Sequence, residues 1–323
     1  MSYRFVFLPP VNDNHRRWAE SVRAEVGDID ILFAESREQA LTELAEARAA
    51  FGTLDAELLA AAPALEWLAA PAAGPHPGFY FPELVTSNVI VTNQRGIYND
   101  HIAVHIMAFV LAFARGLQQL LPQQVAGVWA KGGEGSATTM FLPETTALVI
   151  GVGGIGGETA RHLAHFGMHV IGIDPRVPEP PAGVHELYRP DVLDEQISRA
   201  DFVIMTAPQT PATEGLMNAG RLAKMKKSAV LINIGRGVNV KLDDLADALY
   251  DGTIGGAALD VFEIEPLPEN HRLWQAPNFL MTPHMAAAGP YLDERRRELL
   301  VENCRRLRAG EELKNIVDKE NWF

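Results

Sequence analysis

Four short segments hold groups that would together suffice for hydride transfer. They are Gly151-Val-Gly153-Gly154-Ile155-Gly156, Asn233-Ile-Gly235-Arg236-Gly237, Asp260-Val-Phe-Glu-Ile-Glu265-Pro-Leu-Pro and Thr282-Pro-His284. The first is a turn that can cradle phosphates. The others supply a cation, a carboxylate and an imidazole. Each alone is a weak signal. Their order, and their placement after strand-like runs, makes the combination specific.

The glycine segment has the required context. Thr146-Ala-Leu-Val-Ile leads into it as a strand, and Gly157-Glu-Thr-Ala-Arg-His-Leu-Ala continues as a helix. Gly151 permits a tight turn, Gly153 lets backbone approach a pyrophosphate, and Gly156 allows close helix packing. The helix N-terminus adds free N–H groups and a positive dipole end. Asp174 closes the next strand, 18 residues past Gly156, and begins Asp174-Pro175-Arg176. A carboxylate there can bond both ribose hydroxyls of NAD and repel a 2′-phosphate, which favours NAD. Arg176 leaves NADP possible. The plainer reading of Asp174 is a turn-forming Asp-Pro.

Arg236 follows a strand through a glycine, so it emerges at a strand's carboxyl end. Its planar fork suits a carboxylate. His284 also ends a strand, beside a stiffening proline. It would give and take the proton of the reaction. Glu265 would pair with it, orient its ring and keep the imidazolium available.

The elements that carry these residues read as strand–helix alternation. Residues 1 to about 95 hold strands at Arg4-Phe-Val-Phe-Leu, Asp30-Ile-Leu-Phe-Ala, Leu65-Glu-Trp-Leu-Ala and Val89-Ile-Val-Thr, with helical segments such as Glu38 to Ala50 between them. A second cycle has six strand candidates, starting at Ala147, His169, Phe202, Ala229, Gly256 and Phe279. The fold class is α/β: two Rossmann-like domains with parallel sheets, the chain crossing between them twice. The expected boundaries are 1–99 with 289–323 for a substrate-binding domain, and 100–288 for a dinucleotide-binding domain. Tyr291 to Arg308 reads as an amphipathic helix.

Composition narrows the function. The 323 residues are 47% hydrophobic and 21% charged, and the net charge is -13. Such a chain repels phosphate backbones and anionic membranes, so no nucleic-acid or membrane partner is expected. The one cysteine, Cys304, allows no internal disulfide and reads as a buried helix residue in a cytoplasmic protein. The start, MSYRFVFLPP, is too short an apolar run for a signal peptide. The apolar stretch Ile102–Ala114 reads as a buried helix. His101 with His105, and His162 with His165, have helical spacing but no third ligand, so no metal is expected.

The chain resembles the D-isomer-specific 2-hydroxyacid dehydrogenase family nearly end to end. The matching pieces are Val91-Thr-Asn-Gln-Arg-Gly96, the helix ending at Arg115, Trp129, the glycine turn, Pro208-Gln-Thr-Pro211, Asn233–Gly237, Asp260–Pro268 and Thr282–His284. The resemblance implies reduction of a small 2-oxoacid with a nicotinamide cofactor in an interdomain cleft. Arg236 would bind the substrate carboxylate, Ala207 and Pro208 would line the cofactor, and Asp260 would stand near the nicotinamide. Pro71-Ala72-Ala73-Gly74 resembles the family loop whose N–H groups hold the carboxylate, and Tyr98 would line the cleft. Pro75-His76-Pro77 follows where the family usually has a hydrophobic residue and Asp, and Val104 and Lys241 also depart from the family pattern. The segment from Arg115 to Leu142 resembles the arm that pairs subunits, which implies a homodimer. Two alternatives share the residues: an NAD(H)-sensing protein on the same scaffold, and phosphite oxidation. Glu265 in place of a glutamine argues against formate oxidation.

Overall fold

A computed structural model describes residues 3–74, 78–131 and 135–320. Pro75-His76-Pro77 and Gly132-Gly133-Glu134 lie outside the described residues. The chain divides into two compact units, Met1–Ile97 with Gly289–Phe323, and Tyr98–Ala288.

The first unit is a five-stranded parallel sheet. Its strands are β1 (Arg4–Phe7), β2 (Asp30–Phe33), β3 (Ala47–Phe51), β4 (Trp67–Ala69) and β5 (Ile90–Thr92), in the order β2-β1-β3-β4-β5. Alternation along β1 separates its two faces. Phe5 and Phe7 pack with Trp18, Leu300 and Cys304. Val6 and Leu8 pack with Leu44, Leu58, Leu68 and Leu84. Helices Asp13–Val26 and Leu292–Ala309 therefore share one face. Cys304 is fully buried there, and burial pushes its thiol up to about 12.

One expected element is corrected. The helix starting at Arg37 stops at Glu43, and Ala47–Phe51 is strand β3, at the centre of the sheet. The alanines of Ala47-Arg-Ala-Ala-Phe51 suit a helix locally, but Ala47, Ala49 and Ala50 are fully buried and let helices close on both faces. Tertiary packing overrides local propensity here.

The second unit is a seven-stranded parallel sheet. Its strands are β6 (Thr146–Ile150), β7 (His169–Ile173), β8 (Glu186–Tyr188), β9 (Phe202–Met205), β10 (Val230–Asn233), β11 (Gly256–Leu259) and β12 (Phe279–Met281). The order is β12-β11-β10-β9-β6-β7-β8. The six expected strands are present, and β8 is an additional edge strand of half-buried residues. Runs such as Leu148-Val-Ile and Val230-Leu-Ile are buried on both faces, as parallel strands under helices require. The strand order reverses between β6 and β9, which opens a crevice at their carboxyl ends. Helix Asn99–Ala114 buries Ile102, Ile106, Val110 and Phe113 in this core. Among the described residues, no single helix is long and apolar enough to cross a membrane.

Candidate active site

Strand β6 delivers the chain into Gly151, whose φ is 92°. A Cβ there would stand 2.9 Å from the backbone of Ala207. The glycine turn and the Ala207–Pro208 segment after β9 therefore meet where the strand order reverses. A Cβ on Gly156 would stand 1.8 Å from the Gly151 carbonyl oxygen, so helix Gly154–His165 seats against its own turn only without a side chain at Gly156. Around Gly153 the space is open to 4 Å. An open backbone turn at a helix N-terminus fits a dinucleotide pyrophosphate. The Asn99 amide closes on Gly154, 2.6 Å from where its Cβ would be.

Asp174 closes β7 and is 3% exposed. Its Oδ2 accepts from the Val152 amide at 3.0 Å, and its Oδ1 accepts from Arg176 and Val177 amides at 2.8 and 3.1 Å. The carboxylate thus joins the glycine turn to the loop after β7. The turn-forming reading and the ribose-binding reading are compatible, because one carboxylate has several lone pairs. Pro175 and Arg176 are exposed, and Arg189 donates to the Asp174 carbonyl at 3.2 Å.

The Arg236 loop is built by Asn233. The Asn233 side chain accepts from the Gly235 amide at 3.0 Å and donates to the Arg236 carbonyl at 2.9 Å. Both bonds fix the backbone as it leaves β10. Arg236 is half-buried, and its Nη1 donates to the Gly235 carbonyl at 2.7 Å. Burial pushes the guanidinium pKa down, and the Glu265 charge pulls it back up. A partly desolvated guanidinium interacts strongly with an anion. Gly237 sets the loop's position: a Cβ there would lie 1.9 Å from the Phe262 backbone. The Arg236 loop and the segment leading to Glu265 are in direct backbone contact.

Glu265 and His284 are hydrogen-bonded, Oε2 to Nδ1, at 2.7 Å. The other carboxylate oxygen accepts from the Phe262 amide at 2.9 Å. The His284 side chain is 55% exposed, so the ring is held at one nitrogen and presented at the other. Its backbone is left-handed, with φ 50°. Asp260 organises that turn. It is 1% exposed, and its carboxylate accepts from the Thr282 hydroxyl at 2.5 Å and from the Met285 and Ala286 amides at 2.9 Å each. The Thr282 hydroxyl also meets His105 Nε2 at 2.9 Å. Burial pushes the His105 pKa down, against the pull of Asp260.

The structure thus gathers Arg236, Glu265 and His284 at the carboxyl ends of β10, β11 and β12, in the unit that carries the glycine turn. The expected substrate loop lies in the other unit. There Asn93 donates to the Ala73 carbonyl at 2.8 Å, and the Gln94 amide donates to the Ala72 carbonyl at 3.4 Å, so the loop Ala72-Ala73-Gly74 is held from β5. Tyr98 packs on the second unit's core, whereas the sequence boundary at 99 assigned it to the first. Sequence reasoning missed Asn99 and the His105–Thr282 contact, because both act across long sequence separations. The paired histidines separate chemically: His101 bonds Asp100, His105 meets Thr282, and His162 faces Glu158. Among the described residues, no group of three His, Cys, Asp or Glu could hold a metal ion.

Residues 107–286 match the family described as D-isomer specific 2-hydroxyacid dehydrogenase, NAD binding domain. The chain belongs to this family: it is an NAD(P)-dependent D-2-hydroxyacid dehydrogenase. It is 34% identical to a glyoxylate reductase of Thermofilum pendens over 83% of this chain and 79% of that protein. Its fold matches a D-isomer specific 2-hydroxyacid dehydrogenase from Xanthobacter autotrophicus, solved with NADPH and MES, with TM-score 0.86, 29% identity and full coverage of both chains (100% each). It also matches an NADPH-dependent glyoxylate/hydroxypyruvate reductase from Sinorhizobium meliloti, solved with NADP and sulfate, with TM-score 0.82, 26% identity and 100% coverage of each.

Proposed function

We propose that the chain reduces a small 2-oxoacid to the D-2-hydroxyacid, with Arg236, Glu265 and His284 as its reacting groups. One observation carries the proposal: the 2.7 Å His284–Glu265 pair stands beside a desolvated arginine, in the unit with the glycine turn. The nicotinamide supplies a hydride when bound. Arg236 clamps the substrate carboxylate and turns the carbonyl toward the ring of His284. Glu265 occupies Nδ1, so Nε2 carries the proton given to the carbonyl oxygen during reduction and taken back during oxidation. The resemblance to the family also assigns the N–H groups of the loop Ala72-Ala73-Gly74 to substrate binding.

Asp174 favours NAD over NADP, because a 2′-phosphate would meet its carboxylate. The NADP(H) named for the Xanthobacter and Sinorhizobium proteins keeps NADP as the competing cofactor. Gly151, Gly153, Gly154, Ile155 and Gly156 hold the pyrophosphate, Ala207 and Pro208 border it, and Asp260 backs the nicotinamide site. The two domains have these roles: 100–288 binds the dinucleotide, and 1–99 with 289–323 binds the substrate. The buried, unpaired Cys304 suits the cytoplasm.

The protein acts as a homodimer. Helices Asn99–Ala114 and Leu117–Val125 turn by 74° at Gly116 and lead into an apolar arm. Val125 is 89% and Trp129 92% exposed there, with Leu121, Val128 and Phe141 also exposed. Such a patch suits a second copy of the chain.

The deciding experiment is oxidation of NADH and of NADPH against glyoxylate, hydroxypyruvate, pyruvate and phenylpyruvate. Fast turnover of one acid supports the proposal and ranks the cofactors. Tight NADH binding without turnover of any acid would move the reading to cofactor sensing.

A further inference from the structure

The first unit has its own reversal of strand order, between β1 and β3, and a cavity of about 350 Å³ lies at their carboxyl ends. Crevices at such reversals are where open parallel sheets bind ligands. Asn12, Asn14 and His15 line this cavity from the first turn of helix Asp13–Val26, Thr53 and Pro71 from the loops after β3 and β4, and Arg296 from the helix Leu292–Ala309. Pro71 begins the stretch that continues as Ala72-Ala73-Gly74.

Three observations give the cavity its chemistry. First, none of the described residues lining it is acidic, in a chain of net charge -13. Its charged side chain is a guanidinium, and a helix N-terminus adds a positive dipole end. Second, His15 is 9% exposed and its Nδ1 is buried without a hydrogen-bond partner. Buried polar atoms are nearly always satisfied, so an orphan on a side chain that lines a cavity points to a ligand. Third, the orphan is a donor. The Asn12 carbonyl oxygen caps the His15 amide at 3.1 Å, which leaves its NH₂ facing His15 Nε2 at 3.5 Å. Nε2 then accepts, and Nδ1 carries the hydrogen. The ring stacks on Phe7 at 5.4 Å and abuts Trp18 and Phe51, which fixes its direction. The nearest acid acting on His15, Asp293, is engaged by Trp18 at 3.2 Å and Arg17 at 3.7 Å.

We propose that this cavity binds a carboxylate or phosphate group, held by Arg296, by the His15 Nδ1–H and by the first turn of helix Asp13–Val26. Two sources share that chemistry: the far end of a 2-oxoacid bearing a second acidic group, and a free small anion. The first rests on the hydride-transfer reading; the cavity itself does not.

The test uses the full chain labelled with ¹⁵N in its imidazoles and titrated with inorganic phosphate. The signals assigned to His15 by their loss in His15→Gln should shift saturably. In Arg296→Gln, phosphate affinity should fall about tenfold, as expected for loss of one charge-assisted contact. Phosphate that competes with a dicarboxylic 2-oxoacid in steady-state reduction identifies the substrate's far end as the ligand. Saturable binding without competition identifies a free anion. Unmoved His15 signals at saturating phosphate, or the same affinity in Arg296→Gln, would overturn the proposal. Glyoxylate turnover is scored separately, so failure of the cavity and failure of the hydride-transfer reading are distinguishable.

Discussion

The His284 amide donates to the Asp260 carbonyl at 2.8 Å, and the histidine adopts a left-handed backbone, φ 50°, as it does so. A non-glycine residue in that region costs on the order of 1 kcal/mol and persists only where its surroundings enforce it. The enforcing group is Asp260, whose carboxylate also takes the next two amides. Asp260 sets the backbone of His284 while Glu265 sets its ring.

Removing the ring's proton chemistry should therefore leave the turn intact. His284→Gln is expected to lower kcat by about 10²–10⁴-fold with little change in Tm. Single-turnover NADH oxidation and a thermal melt check both halves. Unchanged turnover would remove His284 from the reaction.

Arg236→Ala should raise the substrate KM and lower kcat, for a combined loss of about 10–100-fold in kcat/KM. NADH affinity, read by fluorescence titration, should stay within about twofold. Arg236→Lys should restore little, because an ammonium offers no planar fork. Lost NADH binding would show that Arg236 serves the cofactor or the fold.

Gly237→Ala brings a methyl group into the Phe262 backbone. The Arg236 loop must shift from the Glu265 segment, costing about 3 kcal/mol and lowering the Tm by several degrees. Differential scanning calorimetry reads the change. A variant as stable as the parent, with normal kcat/KM, would show that this contact has slack.

Stability should fall on acidification below pH 6.5, the ordinary histidine value. Burial lowers the pKa of both His15 and His105. As pH falls through this window, the unfolded chain binds protons that the folded chain refuses, so the stability present above 6.5 is progressively lost. Urea midpoints between pH 7.5 and 5.5 should decline, and His105→Gln should flatten part of the slope. A midpoint that rises on acidification contradicts the assignment.

The strands that were legible in the sequence are those rich in branched residues, such as Leu148-Val-Ile and Val230-Leu-Ile. Strand β3 was hidden because its inward positions are alanines, which read as helix until helices are packed on both sides. Strand β8 was hidden because an edge strand of three half-buried residues leaves almost no pattern. The candidate site was legible where local backbone chemistry dictates residue type, as at Gly151, Asn233 and the Thr282-Pro-His284 turn. It was illegible where the relation exists only through space. No spacing rule predicts that His105 would meet a hydroxyl 177 positions away or that Asn99 would close on Gly154.

The first unit's core joins Trp18 to Leu300 and Cys304, residues far apart in sequence, and the Val317 amide donates to the Val91 carbonyl. On the ribosome, that core cannot close until Leu300 and Cys304 have been added. The contiguous second unit has all its residues earlier and can fold while the N-terminal strands still wait for their last helix.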